Sequence, residues 1–422
     1  MPTSRRASLA IAALAVFLLA VLAPVAQRGP AQPDVPGVLG QGVTLLPNGW
    51  KIAPAGRHLT VGDLPLALVQ SADGRFLIIT NNGHSKPTLT VVDLKHGYVK
   101  DKVQVEHAWL GLAWHPDGRR LFSSGASQNT VNEFGYNPAD GKLTLGTAFT
   151  LARPERARGF GETDNAGFIG GVAVSPDGRM LYAVHIFGKA VSAVDIRRGR
   201  VRQTIDLAAE PYTCLVSPDG KMLYVSLWGG AKVLLFDTAT LAPQGEVAVG
   251  QHPNAMLFSK DGARLFVACA NTNAVWVIDL ASKTAREQIS VALYPNAPAG
   301  TTPNGLGLSP DGTTLLVANA DNNTVAVVDV RKPDASEVDG FIPAGWYPTA
   351  AAFDRDGKRI FVLSGKGLTS TPNPRANQPM APGADGQYIG AMLQGSLSII
   401  DTPDEATLKA LTKKVYELTP YT

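Results

Sequence analysis

One turn sequence returns along this chain at near-constant spacing, and it limits the possible folds more than any other feature. In Ser309–Val330 the residues Ser309-Pro310-Asp311-Gly312 carry type I turn chemistry: Ser opens the turn, Pro presets φ at its second position, and Gly fills the fourth. Thr314–Ala318 and Thr324–Val328 are short β-branched and apolar runs, and Asp321-Asn322-Asn323 between them tolerates left-handed backbone angles. Both faces of these strands are apolar, so their sheet must be covered on both sides. One such unit could not fold alone.

Six further units supply the cover. Their turns are Ser71-Ala72-Asp73-Gly74, His115-Pro116-Asp117-Gly118, Ser175-Pro176-Asp177-Gly178, Ser217-Pro218-Asp219-Gly220, Ser259-Lys260-Asp261-Gly262 and Asp354-Arg355-Asp356-Gly357. Successive turn glycines lie 44, 60, 42, 42, 50 and 45 residues apart. A period in the low forties with four short strands per unit predicts a β-propeller of seven blades. In the fourth unit the expected strands are Tyr212–Val216, Met222–Ser226, Lys232–Phe236 and Glu246–Val249.

The ends of the repeat array predict how it closes. Leu59–Val61 reads as an outer strand placed before the first complete unit, whereas the seventh unit ends at its third strand, Leu397–Ile400. The N-terminal strand is therefore expected to complete the last blade and remove the exposed sheet edges. After the array, Thr402-Pro403-Asp404-Glu405 predicts a helix start with Thr402 as cap, and Leu408, Leu411, Val415 and Leu418 mark one apolar face. The expected architecture is an all-β chain: a seven-bladed β-propeller of four-stranded blades, closed by an N-terminal strand, plus a short C-terminal helix. Its expected segments are a signal peptide over 1–26, a tether over 27–45, the propeller over 46–402 and the helix over 403–422.

Arg5-Arg6 followed by the apolar run Leu9–Ala23 and then Pro24-Val25-Ala26 has the layout of a secretory signal, with a retained anchor as the alternative. The expected location is the periplasm or the exterior. The net charge is +3, of which Arg5 and Arg6 supply two, so a chain cleaved after Ala26 would carry +1. That balance gives no electrostatic case for nucleic acid. Cys214 and Cys269 each fall in a predicted strand of a different unit, so no disulfide framework holds the fold. Buried free thiols and a single disulfide both remain open.

The turns followed by Leu181-Tyr182-Ala183-Val184, Leu223-Tyr224-Val225-Ser226 and Leu316-Val317-Ala318-Asn319 resemble the YVTN family of bacterial β-propellers over roughly Leu46–Asp401. No Trp-Asp dipeptide ends a strand, as a WD-repeat protein would require. Leu46-Pro47-Asn48-Gly49, the run Gly340–Thr349, Tyr388-Ile389-Gly390 and Gly395-Ser396-Leu397-Ser398 look like the propeller half of bacterial proteins that pair such a propeller with a phosphoesterase domain. The chain carries none of the metal or nucleophile motifs of that second domain, so the resemblance implies the fold and an association, not the phosphoesterase chemistry.

Three oversized connections, Leu151–Phe168, Ala292–Thr302 and Gly365–Gly395, all belong to the loops that emerge on one face of a propeller. Either function or simple covering of that end could account for them. The same face should collect His84, His185, Trp228, His252, Asn254, Asn304, Trp346 and Tyr347, the candidate ligand-binding residues. Amphipathic rings and amides there suit a small polar ligand or an unidentified protein partner. Backbone satisfaction is the rival role for each Asn, and cap packing for Trp228, Trp346 and Tyr347. The histidines come from different units without HxH, HxxxH or HExxH spacing, so no metal site is expected; the chain also lacks the CxxCH of attached haem, and no cofactor is expected. No GxSxG elbow is present, and no catalytic residues are assigned. Arg153, Arg158, Glu162 and Asp164 could join His185 in a lactonase-like site, since seven-bladed lactonases use carboxylate, His and Arg groups in the channel. The leading expectation is a monomeric, non-catalytic binding or interaction module; its rival is a lactonase-like hydrolase.

Overall fold

The computed structural model describes residues 35–151, 167–371 and 388–420. The signal segment, most of the Leu151–Phe168 connection and the middle of Gly365–Gly395 lie outside the described residues.

Each recurring turn closes with the same hydrogen bonds. In the sixth unit Gly312 N–H donates to the Ser309 carbonyl at 2.8 Å, and the Ser309 hydroxyl donates to Asp311 Oδ1 at 2.6 Å. Thr313 and Thr314 N–H then donate to Asp311 Oδ1 and Ser309 Oγ, at 3.0 and 2.9 Å, so two side chains satisfy the start of the next strand. Gly312 sits at φ +83°, where a side chain would be strained. His115 and Asp354 replace the serine: Asp117 N–H donates to His115 Nδ1 at 3.1 Å, and Arg359 N–H donates to Asp354 Oδ1 at 3.0 Å.

Between these turns the chain forms seven four-stranded antiparallel sheets among the described residues. The fourth sheet is Cys214–Val216, Met222–Leu227, Lys232–Asp237 and Pro243–Ala248, within a few residues of expectation at every end. The middle strands are buried on both faces. Leu223, Val225, Val233 and Leu235 have no more than 2% of their surface exposed, as the two-sided apolar pattern required. The seven first strands begin at Pro65, Leu112, Ile169, Cys214, Pro253, Pro303 and Trp346. Each packs beside the next, and Trp346–Phe353 packs beside Pro65–Gln70.

In the last sheet Arg57–Thr60 pairs antiparallel with Ser396–Asp401, Leu59 opposite Leu397. This is the predicted partnership, two residues earlier than expected. The first and last sheets are further joined by Thr349 Oγ1 donating to the Pro65 carbonyl at 2.6 Å, Arg57 Nη1 to Gly97 O at 2.9 Å and Arg359 Nη1 to Leu94 O at 3.0 Å.

Two expectations are corrected. The tether assigned up to residue 45 is not featureless at its end: Gly37–Gly40, Val43–Leu45 and Lys51–Ile52 form a small three-stranded sheet. Its hairpin closes through Leu46 N–H to Trp50 O at 2.8 Å, and it is anchored by the Ser370 hydroxyl donating to Leu45 O at 2.5 Å. Leu45, Leu46 and Ile52 are buried. The strands are too short for a readable pattern, and their burial is supplied from residues more than 300 positions away. The second correction concerns the C-terminal helix, Glu405–Leu418. Its cap is Asp404, whose carboxylate accepts Thr407 N–H at 2.8 Å, while Thr402 donates its hydroxyl to Gly357 O at 2.7 Å. The helix covers the outer strand Glu337–Pro343 of the sixth sheet, burying Leu408, Val415 and Leu418. Gly340 permits this approach, because a Cβ there would lie 2.4 Å from Thr412 Oγ1.

Candidate functional site

The junction that enters each first strand meets the connection between the second and third strands of the same sheet. Ile186 N–H donates to Phe168 O at 3.0 Å, Ala270 N–H to His252 O at 3.1 Å, and Ala320 N–H to Thr302 O at 2.9 Å. The accepting residues share a left-handed conformation, φ 48°, 54° and 54°, and Leu64 and Tyr347 hold equivalent places at 46° and 64°. The unusual backbone is therefore a device of the fold that aims a carbonyl. It also keeps a side chain, rather than glycine, at five of the seven junctions, at a cost of ~1–2 kcal/mol each.

The cycle of first strands encloses a cavity of about 220 Å³ beneath these junctions. Leu66, Leu110, Met256 and Leu306 form its apolar wall, with Tyr212, Thr213, Asn304 and Thr349 as the polar groups. No carboxylate, histidine, lysine or arginine lines it among the described residues.

Tyr212, from the junction of the fourth sheet, bridges cavity and mouth. Burial pushes its phenol above the ordinary range, and the Tyr347 phenol adds to the rise, so the two rings are electrostatic neighbours although they come from the fourth and seventh sheets. Tyr347 is itself raised, by burial and then by Asp321, and its N–H donates to Asn323 Oδ1 at 3.0 Å. Over the Tyr347 ring, 4.3 Å from its centroid, lies the ammonium of Lys366, which is also 5.4 Å from the Trp346 ring. Burial pulls the Lys366 pKa below its ordinary value.

Of the eight candidates, the structure brings Asn304, Trp346 and Tyr347 to this mouth. Asn254 stands behind Asn304. It is buried, and its Nδ2 donates to Pro303 O at 3.0 Å, tying the fifth sheet to the sixth. Trp228 and His252 form a separate stacked pair, and His84 packs against Tyr388 at 5.2 Å between ring centroids. His185 is corrected to the interior: it is fully buried, with Nε2 2.7 Å from Ser192 Oγ, which in turn meets Thr204 Oγ1 at 2.7 Å. It closes the third sheet as Asn81 closes the first, where Nδ2 donates to Thr90 Oγ1 at 2.9 Å. A polar ring ending a strand is satisfied by its own sheet before it can meet a ligand.

Tyr212 and Lys366 escaped the sequence reading. Tyr212 read as the first residue of a strand, and Lys366 was lost within the long Gly365–Gly395 excursion. The single signal for Lys366 was a cation ending an otherwise apolar strand, Arg359–Gly367. Arg153, Arg158, Glu162 and Asp164 lie outside the described residues. Among the described residues no three His, Cys, Asp or Glu side chains gather as a metal site would require. Cys214 and Cys269 are buried and free, and burial pushes each thiol up to about 12.

Fold and site together define an all-β protein of the β-propeller kind with a small apolar cavity at the centre of its first strands. More particularly, residues 40–229 match a family model described as SMP-30/Gluconolactonase/LRE-like region, a stretch that takes in the first three sheets and half of the fourth. Among solved structures the chain is similar to a Kuenenia stuttgartiensis hydrazine synthase chain, with a TM-score of 0.57 and 19% identity over 72% of this chain and 94% of that one. At that identity the likeness is one of fold. No curated protein matches the chain.

Proposed function

We propose that the seven sheets are the blades of one closed propeller, and that the protein is a binding or interaction module exported from the cytoplasm, taking a small ligand at the cavity mouth beside Tyr212, Asn304 and Tyr347. The observation that carries this reading is the cavity wall, which offers apolar surface, hydroxyls and one amide to a ligand but no acid or base among the described residues. An association with a phosphoesterase follows from the sequence resemblance and belongs to the same proposal.

A second reading, a lactonase-like hydrolase, is favoured by the family match, whose description includes gluconolactonase. Its acid and base would come from Glu162 and Asp164. A thermal-shift screen with and without divalent metals, run beside a lactone-hydrolysis assay, separates the two. Binding without turnover is expected. Hydrolysis that is abolished in an E162Q/D164N variant would overturn the non-catalytic reading.

A further inference from the structure

Lys366 is a half-buried cation with no anion to meet it. Among the described residues no hydrogen bond or ion pair is made by its ammonium, and its contacts are the faces of Tyr347 and Trp346. Asp321 is the carboxylate that influences it, but Asp321 is exposed and is occupied by the Thr302 hydroxyl at 2.6 Å. Burial disfavours the charged form of a lysine unless an opposite charge or acceptors compensate. The aromatic faces compensate only in part.

Two hydroxyls stand beside this cation. Those of Tyr212 and Tyr347 have no hydrogen-bond partner among the described residues, and both phenols are held in their protonated, donating form. One ammonium and two O–H donors thus face the mouth of a cavity whose wall is Leu66, Leu110, Met256 and Leu306. Such donors suit a carboxylate, which accepts through two oxygens, and the wall suits an apolar body attached to it.

We propose that the cavity mouth binds a small monocarboxylate with an aryl or branched-alkyl body, the carboxylate on Lys366 and the phenols of Tyr212 and Tyr347, the body in the cavity. This deepens the binding reading above and rests on it. The apolar wall distinguishes this ligand from a free inorganic anion, which would leave the cavity without a partner.

The test is calorimetric titration of the full-length protein with 3-phenylpropionate, its uncharged amide 3-phenylpropanamide, and inorganic phosphate. The acid is expected to bind, with the amide and phosphate weaker by about tenfold or more, because a hydrogen-bonded charge is lost in one and the apolar contact in the other. K366M is expected to lose about tenfold for the acid and nothing for the amide, and K366R to recover part of the loss. Equal binding of acid and amide by the unaltered protein overturns the proposal, and that comparison stands even if K366M does not fold. A cavity-filling M256W variant separates the two levels of inference. Ligands from the thermal-shift screen that are lost in M256W but indifferent to K366M would sink the carboxylate and leave the binding reading standing. A screen without ligands sensitive to M256W would sink both.

Discussion

Trp228 and His252 lie face to face, ring centroids 3.9 Å apart and planes 12° apart, and they come from adjacent sheets. Trp228 keeps 39% of its surface exposed, so the imidazole covers one face of an indole that is otherwise open to water. His252 makes this contact from a left-handed backbone, φ 54°. The stack is worth ~0.5–1.5 kcal/mol, and the conformation costs ~1–2 kcal/mol for any residue with a Cβ.

These opposing terms predict a split between two substitutions. H252A loses the stack but keeps the strained backbone, so it should destabilise by about 1 kcal/mol. H252G loses the stack and relieves the strain, so it should be close to neutral. Urea unfolding of the two variants checks this; a glycine variant clearly less stable than the alanine variant would be inconsistent with the strain.

The repeated turns should make the fold sensitive to acid. The serine hydroxyl within each turn is the main reason that Asp177, Asp219, Asp261 and Asp311 sit below the ordinary carboxylate range, and the Arg331 guanidinium draws Asp329 down to about 2. A carboxyl depressed in the folded state binds fewer protons there than in the unfolded chain. Its contribution is complete above the unfolded pKa, about 4, and is lost as pH falls through the folded value. Melting temperature should therefore be level above about pH 5 and fall between about pH 4 and 2. Replacing Ser217 and Ser309 by Ala should flatten that fall while lowering stability at pH 7 by about 1 kcal/mol per turn, measured by calorimetry across pH.

The C-terminal helix depends on a missing side chain. A Cβ at Gly340 would lie 2.4 Å from Thr412 Oγ1 and 3.0 Å from Leu408 Cγ. G340V should push the helix away and cost ~1–3 kcal/mol. Because the helix covers the strand Glu337–Pro343, the variant should also aggregate more readily, as light scattering would show.

The seam between the last and first sheets is open to direct test through Thr349, whose buried hydroxyl donates to Pro65 O at 2.6 Å. T349V keeps the shape and leaves that carbonyl without its donor, so it should cost ~1–3 kcal/mol. If the ring closes there, the loss should appear in global unfolding, as slower-exchanging amides throughout the chain lose protection together. Loss confined to the first and last sheets would mean that the seam opens by itself.

The sequence determined the repeating unit. Turn chemistry at Ser309–Gly312 and its six counterparts is local, since a serine, an aspartate and a glycine satisfy one another within a few residues, and strands apolar on both faces demand neighbours on both sides. The number of units, the pairing of the N-terminal strand with Ser396–Asp401 and the helix after the last unit all follow from that local order. Tertiary structure decided which side chains meet. His185 and Asn254 look like ligand residues in a linear reading, and the fold consumes both, because buried polar groups take the nearest partners and those partners lie on other strands. Tyr212 and Tyr347 are 135 positions apart in the chain, yet each perturbs or neighbours the other at one cavity mouth, with Lys366 over the second ring. Their proximity is set by where the first strands converge, and no spacing along the chain encodes it.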